Sequence, residues 1–428
     1  MKRQNRLFVI LFFIVTFFLF VMIVGAKALF KQTIRRQAEE TRNESIVEID
    51  WEQRYPYDTL VDEVKYDANE GESSRVAEIE AKIKNISTLG NTWIKLLYYY
   101  ADISKVGYVI NSFLTDPSVG DSYIKTRNGY WMQVESKRLS LDEAKEGIAP
   151  YATLQKYVED KGIDFLYFYT PSKLCAVDPQ LPYGVVTYTN DNIDAYLNAL
   201  DYYGIDYVDL RKMIHDDGLD HYSLFFKTDH HWTVESGLWC ASEIAKLLNE
   251  QYGYPLSGNY DLENYELITY EGAEFGSQGE GVTRFVADPE DFSIPIPKFE
   301  TNYRIEVPNK GVDVSGAMSD IFIDHEGIKE MGENDGGSAY ELLMYGNVPY
   351  AKITNLDNPN GPKVFMIKDS FSIAVVPYLA SSCSELVMVD TRIENGNFTG
   401  SIINCINESN PDIVLAFLSE PQRIKINK

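Results

Sequence analysis

Apolar runs and polar punctuation alternate along much of the chain. Residues 163–169 form an apolar run after Gly162 that stops at Thr170-Pro171-Ser172, which predicts a strand. Ile193, Tyr196, Leu197 and Leu200 recur at helical spacing, so residues 191–203 read as an amphipathic helix and residues 205–210 as the next strand. Leu238, Ala241, Ala245 and Leu248 mark a further helix, closed by Gly253 in a capping position. Residues 363–367, 386–389 and 413–418 give three more strands with helical segments between them, one of which is 373–381. Strand and helix in alternation predict an α/β fold built on a mostly parallel, doubly wound sheet. Thr170, Arg211, Ser370 and Asp390 fall at its carboxyl edge, where such sheets bind ligands.

Two regions depart from this rhythm. Residues 254–359 are rich in Gly, Pro, Asp and Glu and carry irregular short strands at 293–296 and 303–307. That length exceeds an ordinary βα connection, so the stretch reads as a β-rich insertion that either shapes the site or forms peripheral hairpins. Residues 7–26 are twenty uncharged residues rich in Phe, Val, Leu and Ile, preceded by Lys2, Arg3 and Arg6, enough to cross a bilayer as one helix. The expected organisation is a membrane anchor or signal over 1–36, a charged juxtamembrane stem over 37–105 and a globular domain over 106–428. That layout implies single-pass attachment to the cell membrane through residues 7–26, with the domain outside the cytoplasm.

Charge narrows the choice of partners. The chain of 428 residues has a formal charge of -25, and residues 1–36 hold seven of its 39 basic residues and no acidic ones. The remainder sets 32 basic against 64 acidic residues, a balance that disfavours nucleic acid and anionic lipid. A neutral polymer or a small uncharged donor fits better, and 30 tyrosines suit carbohydrate contact. Cys175, Cys240, Cys383 and Cys405 form no Cys-x-x-Cys pair and no zinc spacing, so they read as free thiols, with one disulfide as the alternative. No metal and no cofactor is expected.

The candidate chemistry centres on Lys227-Thr228-Asp229-His230-His231-Trp232-Thr233. Asp229 and His231 sit two apart, so in an extended turn the carboxylate reaches the imidazole, fixes its tautomer and leaves the other ring nitrogen to take a proton. The matching nucleophile is Ser370, which follows the strand at 363–367 and opens a helical segment. An Asp-x-His pair by itself also suits a structural histidine, and Asp-His-His occurs in metal-dependent phosphoesterases; those need further Asp and His ligands, which His215, His221 and His325 do not supply. Lys173, His230 and Arg392 read as candidate substrate contacts near the sheet edge, against the blander alternatives of a surface ion pair for Lys173 and Arg392 or a carbonyl bond for His230. Trp232 reads as packing that stiffens the turn.

Several segments also carry a resemblance. Residues 228–233 followed by a helix, Lys368-Asp369-Ser370-Phe371-Ser372, and Val389-Asp390-Thr391-Arg392 resemble the DHHW protein family. Asn128-Gly129-Tyr130-Trp131, and Thr170-Pro171-Ser172-Lys173 followed by Leu181-Pro182, agree in the same order, so the similarity spans roughly residues 106–428. That family is similar to the alginate O-acetylation proteins, circularly permuted members of the SGNH hydrolase superfamily. The resemblance implies an SGNH-type fold, a Ser370–His231–Asp229 site, and O-acetyl transfer to an extracellular polysaccharide beside a membrane-bound O-acyltransferase that supplies the acetyl group. Backbone amides after Ser370 are expected to hold the oxyanion. Lys368 departs from the superfamily block, which has glycine there. Ester hydrolysis, or a catalytically silent glycan-binding or assembly module on the same scaffold, are the alternatives.

Overall fold

The computed structural model describes residues 118–119, 123–182, 185–256, 258–282, 284, 287–333, 337–392 and 401–424. The expected span at 7–26 and the stem at 37–105 lie outside the described residues; within them, no helix is long and apolar enough to cross a membrane.

In chain order the strands are β1 (Ser118–Val119), β2 (Tyr123–Lys125), β3 (Trp131–Gln133), β4 (Asp164–Tyr169), β5 (Tyr207–Asp209), β6 (Tyr265–Glu274), β7 (Glu290–Pro297), β8 (Tyr303–Val307), β9 (Val312–Gly316), β10 (Tyr350–Asn355), β11 (Lys363–Lys368), β12 (Glu385–Val389) and β13 (Ile413–Leu418). The main helices are α1 (Leu141–Glu159), α2 (Thr189–Tyr203), α3 (Leu210–Asp216), α4 (Val234–Tyr252), α5 (Ser277–Val282), α6 (Met318–Phe322), α7 (His325–Glu333), α8 (Val376–Leu379) and α9 (Ile402–Ser409).

The central sheet has the order β5-β4-β13-β11-β12-β10-β8-β9. Its first five strands are parallel to their neighbours, and β10, β8 and β9 add on antiparallel. The sheet is therefore mixed rather than mostly parallel. The added strands come from 303–355, inside the stretch expected as an insertion. Those residues alternate, as Tyr303, Ile305 and Val307 do when they turn inward, and so complete the core instead of lying beside it.

Strand parity sorts the core onto two faces. Along β13, Ile413, Leu415 and Phe417 join Trp232, Leu238 and Phe371 on one side, while Val414, Ala416 and Leu418 meet Ile148, Leu197 and Ile403 on the other. Strands buried on both faces read as continuous apolar runs, which is why β4, β11, β12 and β13 were plain in the sequence. The strand expected over 205–210 is shorter, because the Asp209 side chain caps α3 and draws Leu210 into the helix. Gly253 terminates α4 at φ 72°, in the left-handed conformation its lack of a Cβ permits. All four cysteines are free, Cys240 and Cys383 buried and the others half-buried.

The strand order also locates the crevice. From β11 the chain moves to β12 on one side and then crosses to β13 on the other, so the switch point lies at the carboxyl end of β11. Asp369 and Ser370 follow that end directly.

Candidate active site

The turn between the short 3₁₀ segment His221–Leu224 and α4 carries the candidate acid and base, Asp229 and His231. Phe225 and Trp232 pair across it, with Phe226 N–H donating to His231 O at 3.2 Å and Thr233 N–H to Leu224 O at 2.8 Å. Thr233 then caps α4, accepting from Ser236 N–H. Other backbone groups of the turn are satisfied from outside. Glu290 on β7 accepts from Lys227 N–H, Thr228 N–H and the Thr228 hydroxyl at 2.8, 2.6 and 2.7 Å. Lys173 Nζ donates to Phe226 O at 2.9 Å, to Lys227 O at 3.2 Å and to Asp229 O. A backbone whose donors and acceptors are accounted for holds its side chains in one arrangement.

The nucleophile turn is fixed with equal care. One oxygen of Asp369 accepts from Phe371 N–H at 3.0 Å, and the other accepts from the backbone N–H and hydroxyl of Ser419 beyond β13 at 2.6 and 2.7 Å. Trp232 is fully buried and its indole N–H donates to Phe371 O at 2.9 Å, so the tryptophan joins the two turns as packing and as donor. Gly237 on α4 lies so close to the same turn that a Cβ there would sit 2.2 Å from Ala374 O.

These supports bring three distant side chains into a chain of hydrogen bonds. Ser370 Oγ lies 2.7 Å from His231 Nε2, and His231 Nδ1 lies 2.7 Å from Asp229 Oδ2. Asp229 is almost wholly buried and Ser370 is half-buried. The other Asp229 oxygen accepts from His230 N–H at 2.7 Å and from the Ser277 hydroxyl at 2.9 Å. Burial alone would push the Asp229 carboxyl up, but the charges and hydrogen bonds of His231 and His230 hold it well below the usual carboxylate range. Burial pushes the His231 imidazole down, against the pull of Asp229, so it stays neutral to lower pH than a free histidine. Neutral His231 is the form that accepts the Ser370 proton. The acid limb of kcat/KM is therefore expected to have its midpoint below 6.5, with a flat profile through neutral pH, as a rate titration would read it.

Sequence reasoning did not find several residues that complete the site. Tyr340 is buried and stacks on His231 with centroids 4.2 Å apart and planes 9° from parallel, while its hydroxyl donates to Ser370 O and Phe371 O at 3.0 and 3.2 Å. Glu274 accepts from Tyr340 N–H at 3.0 Å; burial and the nearby Asp229 charge push its carboxyl well above the usual range. A Cβ on Gly276 would lie 2.2 Å from Asp229 Cβ, so only glycine lets this backbone close over the Asp229 side chain. None of these has a local pattern marking it, and all lie in the stretch read as an insertion.

The candidate substrate contacts separate. His230 is at the mouth, its side chain 45% exposed. Lys173 is buried with its three bonds spent on turn carbonyls, so it positions the turn and has no free donor for a substrate. Burial pushes its amine down to about 7, with Asp229 and Glu290 opposing. Lys173→Met is expected to strand the carbonyls of Phe226 and Asp229 at about 1–3 kcal/mol each, while Lys227 O keeps Trp131 N–H, and this should be visible as a lower unfolding midpoint with a loss of kcat. Arg392 forms a two-point ion pair with Asp390 at 2.9 and 3.2 Å and remains part-exposed beside the edge. Lys368, at the departure from glycine, is buried between Asn347 and Asp390.

The expected oxyanion donors also need correction. Phe371 N–H is bound to Asp369 and Ser372 N–H to Asp369 O at 3.3 Å, so the amides after Ser370 are engaged. The N–H of Ser370 itself has no hydrogen-bond partner among the described residues, which makes it the available donor. Asp229, His230 and His231 are the one group among the described residues that could ligate a cation together. Their donor set does not fit a two-cation centre, since both ring nitrogens of His231 are occupied by Asp229 and Ser370 and no further carboxylate or imidazole joins them.

Residues 212–389 match the family model for DHHW protein, and residues 130–276 match that for the SGNH hydrolase-like domain, acetyltransferase AlgX. Among solved structures, the chain is similar to Bacillus cereus PatB1 bearing a sulfonyl adduct, with TM-score 0.57 and 19% identity over 70% of this chain and 95% of that one. It is also similar to a DHHW family protein from Eubacterium siraeum, with TM-score 0.51 and 20% identity over 68% of this chain and 86% of that one. No curated protein matches the chain. Asp229, His230, His231, Trp232 and Ser370 all lie inside the region that matches the DHHW protein model, and the chain as a whole has a mixed α/β fold similar to that of the DHHW family protein and PatB1.

Proposed function

We propose that the protein is a serine-dependent O-acetyltransferase that modifies a polysaccharide outside the cytoplasm, tethered to the membrane through residues 7–26. The observation that carries this reading is the unbroken line from Ser370 Oγ through His231 to Asp229, 2.7 Å at each step, at the switch point of the sheet. His231 takes the Ser370 proton as the hydroxyl oxygen attacks an acetyl carbonyl, and the Ser370 N–H faces the developing oxyanion. The donor leaves with a proton from His231, and the acetyl group stays as an ester on Ser370. A hydroxyl of the acceptor then attacks that ester, gives its proton to His231, and departs acetylated while Ser370 recovers its proton. Water in the acceptor's place gives hydrolysis. A membrane-bound O-acyltransferase is the proposed source of the acetyl group, and the matching AlgX family model supports acyl transfer as the reaction class.

The test uses the full chain in detergent with an aryl acetate. Digestion after rapid quenching should find one acetyl group on the peptide containing Ser370, and an aryl sulfonyl fluoride should block its formation. PatB1 bearing a sulfonyl adduct makes that reagent an apt choice. A chelator should leave the rate unchanged. Turnover that persists in Ser370→Ala, or acetyl found only elsewhere, would refute the assignment.

A further inference from the structure

His230 does not take part in the mechanism above, yet it is built into the site. Its Nδ1 lies 3.0 Å from Asp229 Oδ1 and 2.8 Å from the Ser277 hydroxyl, which itself donates to the same carboxylate oxygen. Ser277 spends its one hydroxyl proton on Asp229 Oδ1, so its oxygen accepts from His230 Nδ1–H, and a ring in that tautomer has its lone pair on Nε2. Asp229 thus orients both imidazoles, His231 directly on one oxygen and His230 through Ser277 on the other. The two rings lie 3.7 Å apart between centroids and are tilted by 39°. His231 aims its Nε2 at Ser370, whereas the edge of His230 away from Asp229 belongs to a side chain open to solvent. A second basic nitrogen beside the first has no use in acylation, where one base and one nucleophile suffice. It suits a second substrate with two hydroxyls.

We infer that His230 is the acceptor-binding residue for a vicinal diol: its Nε2 accepts a hydrogen bond from the hydroxyl next to the one that reacts, while His231 takes the proton of the reacting hydroxyl. This rests on the acyl-transfer reading and adds the class of acceptor, a sugar or polyol with adjacent free hydroxyls. In the transfer step the acceptor oxygen bonds to the acetyl carbon, the bond from that carbon to Ser370 Oγ breaks, and the proton passes through His231 to Ser370. The proton on the neighbouring hydroxyl stays where it is, held towards His230. One such neutral hydrogen bond corresponds to about fivefold in the partition of the acetyl-enzyme.

The experiment acetylates the full chain with an aryl acetate and measures partition between water, ethanol and ethylene glycol from the amounts of acetate, ethyl acetate and glycol monoacetate. The unmodified protein should prefer the diol over ethanol about fivefold per hydroxyl. His230→Phe keeps a ring against His231 but has no nitrogen, and the preference should fall to about one. His230→Gln places an amide near the lost Nε2 and should recover part of it, whereas His230→Asn, whose amide reaches only the Nδ1 position, should not. A preference retained in His230→Phe would overturn the inference, as would equal use of both alcohols by the unmodified protein or the formation of acetate alone. Those outcomes leave the Ser370 chemistry standing. Absence of acetyl on Ser370 would instead sink the underlying function, and this inference with it.

Discussion

Replacing Asp229 by asparagine is expected to lower kcat with an aryl acetate by about 10⁴-fold while KM changes little. The amide has the carboxylate's shape but one of its two positions becomes a donor. Asp229 now receives bonds on both oxygens, from His231 Nδ1 on one and from His230 and Ser277 on the other. If the amide nitrogen faces His231, that ring must put its proton on Nε2, and it can no longer take one from Ser370. If it faces His230, the backbone N–H of His230 and the Ser277 hydroxyl lose their acceptor. The turn gives up either its base or its geometry. Steady-state rates measured beside a thermal unfolding curve separate the two: a kcat loss below about tenfold with normal stability would mean that His231 is oriented by something other than Asp229.

Tyr340 carries the second large expectation. Tyr340→Leu removes a ring lying flat on His231 and a hydroxyl shared by two carbonyls of the nucleophile turn. Truncating a buried aromatic of this size costs about 3–5 kcal/mol when the residue becomes alanine, and leucine should lose somewhat less. Catalysis should suffer beyond that, because His231 becomes cationic as it takes the Ser370 proton, and an aromatic face stabilises a cation by about 0.5–2 kcal/mol. Loss of that face makes protonation harder. The acid limb of kcat/KM should therefore move to lower pH in Tyr340→Leu and stay in place in Tyr340→Phe, which keeps the ring and loses only the two carbonyl bonds. A leucine variant whose limb does not move would reduce Tyr340 to packing.

Both expectations concern residues with different visibility in the sequence. Asp229, His231 and Trp232 stand in one short segment, so a local reading exposes them, and Ser370 is exposed by the apolar run of β11 that ends just before it. Lys173 and Arg392 were legible as charges near strand ends, but an isolated charge does not announce its partner. The fold put Lys173 under three carbonyls and Arg392 on Asp390. Residues 254–359 read as an interruption because they are rich in Gly, Pro, Asp and Glu, carry short irregular strands and exceed the length of a βα connection. The burial of β8 and β10 alternates, as that of an antiparallel strand with one wetter face should. That pattern marks β8 and β10 as strands without saying which sheet they join.

The linear order of residues determined the strands buried on both faces, the ends of α2 and α4, and the three side chains that form the proposed triad. These follow from apolar periodicity, capping and two-residue spacing, which act within a few positions. Only the tertiary structure decided that Glu274, Gly276, Ser277, Glu290 and Tyr340 close around Asp229 and His231, and that the amides after Ser370 are already occupied. Such pairings are satisfied between backbone groups and side chains far apart along the chain, where hydrogen-bond geometry and close packing select the partner and residue type alone does not.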